Sequence, residues 1–215
     1  MEPTKNLPTN LETGRNEIEQ SPAQRAPSQD ALGRILAPAR AVREILAPEL
    51  TGLWAESTSG LRLCIPSDPA EAAELYARLP DVEWLVSTGK RIESTLAKKA
   101  AAPDVAESIA ALLTLKPNLK EAHGGYLASL TLALTIEADE NRWPACVVAA
   151  GLHRAIRASS YMPELAEIIT HTEKAARDFR RAVRIVERTS EAILALEDML
   201  EAAGYPIKDD GREGF

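Results

Sequence analysis

The stretch 163-PELAEIITHTEKAARDFRRAVRIVERTSEAILALEDML-200 decides the fold. Its apolar or small residues fall at Leu165, Ile168, Thr172, Ala175, Phe179, Ala182, Val186, Thr189, Ile193, Leu196 and Leu200. The steps alternate between three and four, which is the seam of a long packed helix. At 1.5 Å per residue such a helix is about 55 Å long. Ile169, Ala176, Val183 and Ile185 flank the seam and make the stripe broader than a two-stranded coiled coil needs. The N-terminal half is expected to pack into the domain. The far half, around Ile193, Leu196 and Leu200, is expected to project as a coiled coil and self-associate.

A second face of the same stretch carries Lys174, Arg177, Arg181, Arg184 and Arg188, joined by Arg180. Such a face is expected to bind DNA phosphates or an acidic protein partner. Glu173, Asp178 and Glu187 lie close enough to blunt it. No aromatic residues interleave with the arginines, so stacking on a single strand is not indicated.

Outward from this stretch, the chain reads as a succession of helices. Pro163 suits a first helical position, Glu164 and Glu167 suit the first turn, and Gly204 and Pro206 supply the stop. Upstream, Trp143-Pro144 opens a helix with Val148, Leu152, Ala155 and Ile156 facing inward. Asn118 and Glu121 resemble a capping box for a helix carrying Leu119, Tyr126, Leu130 and Leu134, which the acidic run Glu137–Glu140 ends. Gly124-Gly125 inside it would permit a neighbour to approach closely. Pro103 starts a shorter helix, with Val105, Ile109, Leu112 and Leu113 inward and Lys116-Pro117 as its stop.

Pro80 opens another helix, with Trp84, Leu85, Ile92 and Leu96 on it, Gly89 as a soft spot and Lys98-Lys99 at its end. Ser67 is expected to cap the helix that carries Leu75, Tyr76 and Leu79. Leu61–Ile65 alternates like one extended segment, with no evident partner strand. Leu32 to Leu46 has helical spacing, and Pro38 either starts or kinks that helix.

The fold expected is therefore all-α, a helical bundle completed by one long C-terminal helix. Residues 1–29, rich in Pro and polar side chains, form a disordered tail. An N-terminal helical region follows at 30–102, a helical core at 103–204 and a polar tail at 205–215. Aromatics make up only 4% of the chain, which suits an aliphatic, Ala-rich core between helices.

The net charge of −7 excludes polyanion binding by bulk field, so any nucleic-acid contact must be local. Cys64 and Cys146 lie far apart without CxxC spacing and read as buried thiols of a reducing compartment, and no apolar run reaches membrane-spanning length. A cytoplasmic, non-membrane protein is expected. Catalysis finds no acid, base, nucleophile or cofactor motif. Glu167 and His171 share a helix face but are too few to hold a metal, and Gly124-Gly125 lacks a phosphate-loop frame. No catalytic, metal or cofactor site is assigned.

Leu112 to Ile169 carries a resemblance. A short helix, Lys116-Pro117 and a helix around Tyr126 and Leu130 precede a helix ending Ala155-Ile156-Arg157-Ala158-Ser159-Ser160. Tyr161-Met162-Pro163-Glu164-Leu165-Ala166-Glu167-Ile168-Ile169 then follows. This resembles the small helical domain of phage replicative-helicase loaders and inhibitors, and related segments of phage and prophage replication accessory proteins. The resemblance implies that the proline-led helix packs across the preceding helices. It also implies a protein partner, a replicative helicase or another replication protein. No Walker motif is present, so no ATP-driven loader is implied. The function expected is a DNA-replication accessory protein that binds such a partner and DNA. The alternative is a non-enzymatic, self-associating helical scaffold or adaptor.

Overall fold

The long seam folds as a single helix of 38 residues, Leu165–Ala202. Every seam residue from Ile168 to Leu200 is buried, and Leu165 at the entry is half-buried. Thr172 and Thr189 fit this apolar seam because each hydroxyl donates to its own helix, to Ile168 O at 2.7 Å and Ile185 O at 2.6 Å. The computed structural model describes residues 29–47, 54–57, 60–63, 65–115 and 124–207. The N-terminal tail, the Asn118 cap, Cys64 and the last eight residues lie outside the described residues.

In chain order the elements are α1 (Gln29–Ile45), β1 (Trp54–Ser57), β2 (Gly60–Leu63), α2 (Pro69–Arg78) and α3 (Val82–Leu96). They continue with α4 (Ala102–Leu113), α5 (Gly124–Glu140), α6 (Ala145–Ala158) and the long α7 (Leu165–Ala202). The architecture is an all-α bundle, as expected, with one small addition. The extended segment at Leu61 has a partner: β1 pairs antiparallel with β2, Trp54 opposite Leu63 and Ser57 opposite Gly60. The partner strand is short and irregular in hydrophobicity, so alternation did not reveal it.

α7 is the spine. It packs most extensively on α6 and also lies against α1, α2, α3, α5 and β2. α4 packs on α1, α5 and α6. A single cluster of buried residues runs from Leu36 and Ile45 through Leu85, Ile109 and Leu152 to Phe179 and Leu200. Residues of both the 30–102 and the 103–204 regions contribute to it. Two glycines set the closest approaches. A Cβ on Gly151 would lie 2.5 Å from Thr172 Cα, and one on Gly89 would lie 2.7 Å from Val186 Cγ1. By contrast Gly125, expected to admit a neighbour, has open space around its Cβ position.

The helix ends follow local chemistry. Asp68 caps α2, accepting from Ala70 N at 3.1 Å, so the cap sits one residue beyond the expected Ser67. Asp81 caps α3 through Trp84 N at 3.0 Å. Lys98 lies beyond the end of α3 and pairs with Asp104 of α4, while the backbone of Lys99 bridges to Pro144. Pro163 stands just before the α7 cap Glu164 instead of in the first turn, and Glu164 N donates to Glu167 Oε2 at 3.2 Å.

Both α5 and α7 end in a Schellman motif. Trp143 N donates to Ala138 O at 2.8 Å and Tyr205 N to Leu200 O at 2.9 Å. The left-handed residues are Arg142 (φ 53°) and Gly204 (φ 75°).

Candidate nucleic-acid interface

The outward side of α7 carries the basic residues. Lys174, Arg177, Arg180, Arg181, Arg184 and Arg188 are all exposed. At 3.6 residues per turn, all but Arg180 fall within an arc of about 80°, with Arg180 at its margin. From Lys174 to Arg188 the stripe runs about 21 Å. One strand of B-DNA presents a phosphate for each ~3.4 Å of axis, so the stripe is long enough to meet several.

What occupies these side chains decides whether the stripe is available. Lys174, Arg177 and Arg184 make no ion pair among the described residues. Arg180 Nε donates to Ala176 O at 3.1 Å, within its own helix. Arg188 pairs with Glu191 at 3.1 Å, but both side chains are about two-thirds exposed and such a pair is worth little. Asp178, expected to blunt the stripe, is drawn off it: Arg154 Nη2 of α6 holds its Oδ2 at 2.7 Å. Glu173 and Glu187 remain exposed along the margin of the stripe.

The residues expected to pair with another chain are placed differently. Ile193 is 1% exposed, and Leu196 and Leu200 are fully buried, all inside the chain's own core. That end of α7 faces α2, where Tyr76 Oη donates to Glu197 Oε1 at 3.0 Å. The broad stripe is explained by neighbours in the same chain, not by a projecting coiled coil.

A different surface is apolar and uncovered. α5 buries Leu130, Leu134 and Ala138 on one side and presents Leu132 and Ile136 on the other, 63% and 50% exposed. Near its start, Tyr126 Oη donates to Pro163 O at 3.1 Å and ties α5 to the entry of α7. Burial first, and then the nearby Glu164 carboxylate, push the Tyr126 phenol above its ordinary value.

Two groups that could carry chemistry, Cys146 and Glu167, are engaged structurally. Cys146 Sγ donates weakly to Thr95 O at 3.6 Å, and burial pushes this thiol up to about 11. It is therefore protonated at neutral pH and a poor nucleophile. The Glu167 carboxylate caps the α7 backbone. Among the described residues no three His, Cys, Asp or Glu side chains gather to hold a metal ion, and no helix is long and apolar enough to cross a membrane.

Comparison with family models, curated proteins and solved structures finds no match. The Arg154–Asp178 pair was not legible in the sequence because its partners stand on different helices. The basic residues Arg40, Arg43 and Arg157 were also missed, since each is an ordinary residue on its own helix.

Proposed function

We propose that this protein is a non-enzymatic accessory protein of DNA replication, of the phage or prophage kind. In this reading it holds DNA along α7 and a replication partner, such as a replicative helicase, through its helical body. One observation carries the DNA arm. In a chain of net charge −7, the outward face of the central helix keeps a run of cations, and Asp178, one of the acids beside them, is held by Arg154 of another helix. A local cationic stripe on an acidic body restricts phosphate contact to one face. The partner arm rests on the resemblance of Leu112–Ile169, a segment that includes the uncovered side of α5.

The test is DNA binding against salt, for the wild type and for Arg177→Glu, Arg181→Glu and Arg184→Glu combined. The wild type should bind at low salt and weaken with a log–log slope of about −3 or steeper, as three or more phosphate contacts require. The triple variant should not bind. Failure of the wild type to bind at low salt, or equal binding by the variant, overturns the DNA arm.

The second reading, a self-associating scaffold or adaptor, is favoured by the exposed Leu132 and Ile136 on α5. Light scattering across protein concentration separates the two. A concentration-dependent dimer that Leu132→Lys with Ile136→Lys abolishes would favour the scaffold.

A further inference from the structure

Between α1 and α6 lies a cleft of about 350 Å³, with none of the α7 stripe residues in its lining. Ala39 and Ala150 are among its lining, and Arg43, His153, Arg154 and Arg157 converge on it. No carboxylate among the described residues lines it. A second cleft, of about 320 Å³, gives the contrast. There Arg34 and Lys98 are balanced by Asp104 and Glu107, and Lys98 is already paired. The α1–α6 cleft has no such balance.

Its cations are not equally committed. Arg154 is held by Asp178 at 2.7 Å. Arg43 spends only Nε, on Ala39 O at a long 3.4 Å, and its two Nη groups remain. Arg157 has no ion pair among the described residues. The Nη groups of Arg43, the guanidinium of Arg157 and the His153 imidazole, none with a hydrogen bond or ion pair among the described residues, therefore line one space. The imidazole registers the imbalance. Burial first, then Arg157, Arg43, Arg154 and Arg40 together, hold His153 below the ordinary value of 6.5.

We propose that the α1–α6 cleft binds a phosphomonoester, carried by a free nucleotide or by a DNA end. Such a group bears close to two negative charges near neutral pH, which matches the two uncommitted guanidiniums. Its three terminal oxygens suit forked, bidentate arginine donors. The cleft is of ligand-pocket size and larger than a bare oxyanion needs, and its alanines leave room for a sugar or base. An interior phosphodiester carries one charge and must continue in both directions, which suits the open stripe on α7 better than a concave cleft. The inference does not depend on the proposed DNA binding by α7.

The experiment follows the His153 ring signals by NMR in the full chain, with adenosine monophosphate, adenosine and inorganic phosphate as probes. Adenosine monophosphate should shift those signals saturably and raise the pH at which the ring titrates, while adenosine should do neither. Arg43→Gln with Arg157→Gln should weaken the binding at least tenfold. Arg177→Gln with Arg184→Gln, on the stripe, should leave it unchanged.

A 5′-phosphorylated oligonucleotide and its 5′-hydroxyl twin identify the source. A preference of tenfold or more for the phosphorylated strand, lost in the cleft variant, assigns a DNA end. No preference, together with binding of the mononucleotide, assigns a free nucleotide. If His153 in the wild type does not respond to any phosphate probe at ~10 mM, or responds equally to adenosine, the inference is overturned. That reading needs no variant, so it holds even if the cleft substitutions unfold the chain. Loss of salt-dependent duplex binding on the stripe alone would bear on α7 and not on the cleft.

Discussion

Single atoms decide how closely the helices of this bundle approach. Gly151 faces the backbone of α7, where an added Cβ would meet both Thr172 Oγ1 and Thr172 Cα. Gly89 faces only a side chain, Val186. The two substitutions should therefore differ in how they are rescued. Gly151→Ala should cost about 3 kcal/mol or more, and Thr172→Ala should not restore it, because the clash with Cα persists. Gly89→Ala should cost about 1–3 kcal/mol, and Val186→Ala should relieve part of it, giving a coupling of about 1 kcal/mol in a double-mutant cycle. Denaturant unfolding of the single and double variants measures both.

His153 gives the pH counterpart. Its folded-state proton affinity is lowered, so between the unfolded value near 6.5 and the lower folded value the unfolded chain binds more protons. Stability should therefore fall as pH drops below about 6.5, and it should level off below the folded value. His153→Gln should flatten the stability–pH curve in that window. An unchanged slope would show that neither burial nor the surrounding arginines act on the imidazole.

At the scale of elements, α5 is apolar on two sides and shielded on one. Leu132→Lys with Ile136→Lys should change stability by less than ~0.5 kcal/mol, since both side chains already stand in water. Leu130→Ala or Leu134→Ala should each cost about 2–5 kcal/mol, because they are 3% and 1% exposed. Thermal unfolding of the double variant and the two single variants checks the contrast.

The same helix shows what sequence reading can and cannot resolve. The 3-4 seam of α7 was legible because a 38-residue helix repeats its period many times over. The proline, serine and glycine signals placed most of the described helix ends within a few residues. The Schellman end of α5 was not foreseen, since it places Arg142, and no glycine, in the left-handed conformation. Periodicity also marks a face as apolar without saying what covers it. Ile193, Leu196 and Leu200 looked like a seam for a second chain and are covered by their own. The stripe on α7 was visible for the same reason as the seam, one helix carrying one period. The α1–α6 cleft was not, because Arg43 and Arg157 stand 114 positions apart and meet only through packing.

For the whole molecule, α7 is a wall shared by most of the other elements. Removal of residues 189–207 should abolish the cooperative thermal transition of the entire chain. A projecting tail would leave the melting temperature of the remainder unchanged, so calorimetry of that truncation separates the two arrangements. The order in which the elements arise along the chain then carries a cost during synthesis. α7 is the last helix of the bundle, yet α1, α2, α3, α5, α6 and the β-ribbon all rest on it. From the end of α1, a ribosome adding about 5–20 residues per second needs on the order of 8–30 s to reach the end of α7. Until then, Leu85, Leu112, Leu152 and Ile156, all fully buried in the finished protein, have no complete wall to pack on. Between the synthesis of α1 and the completion of α7, the nascent chain must carry apolar helices without their full packing surface.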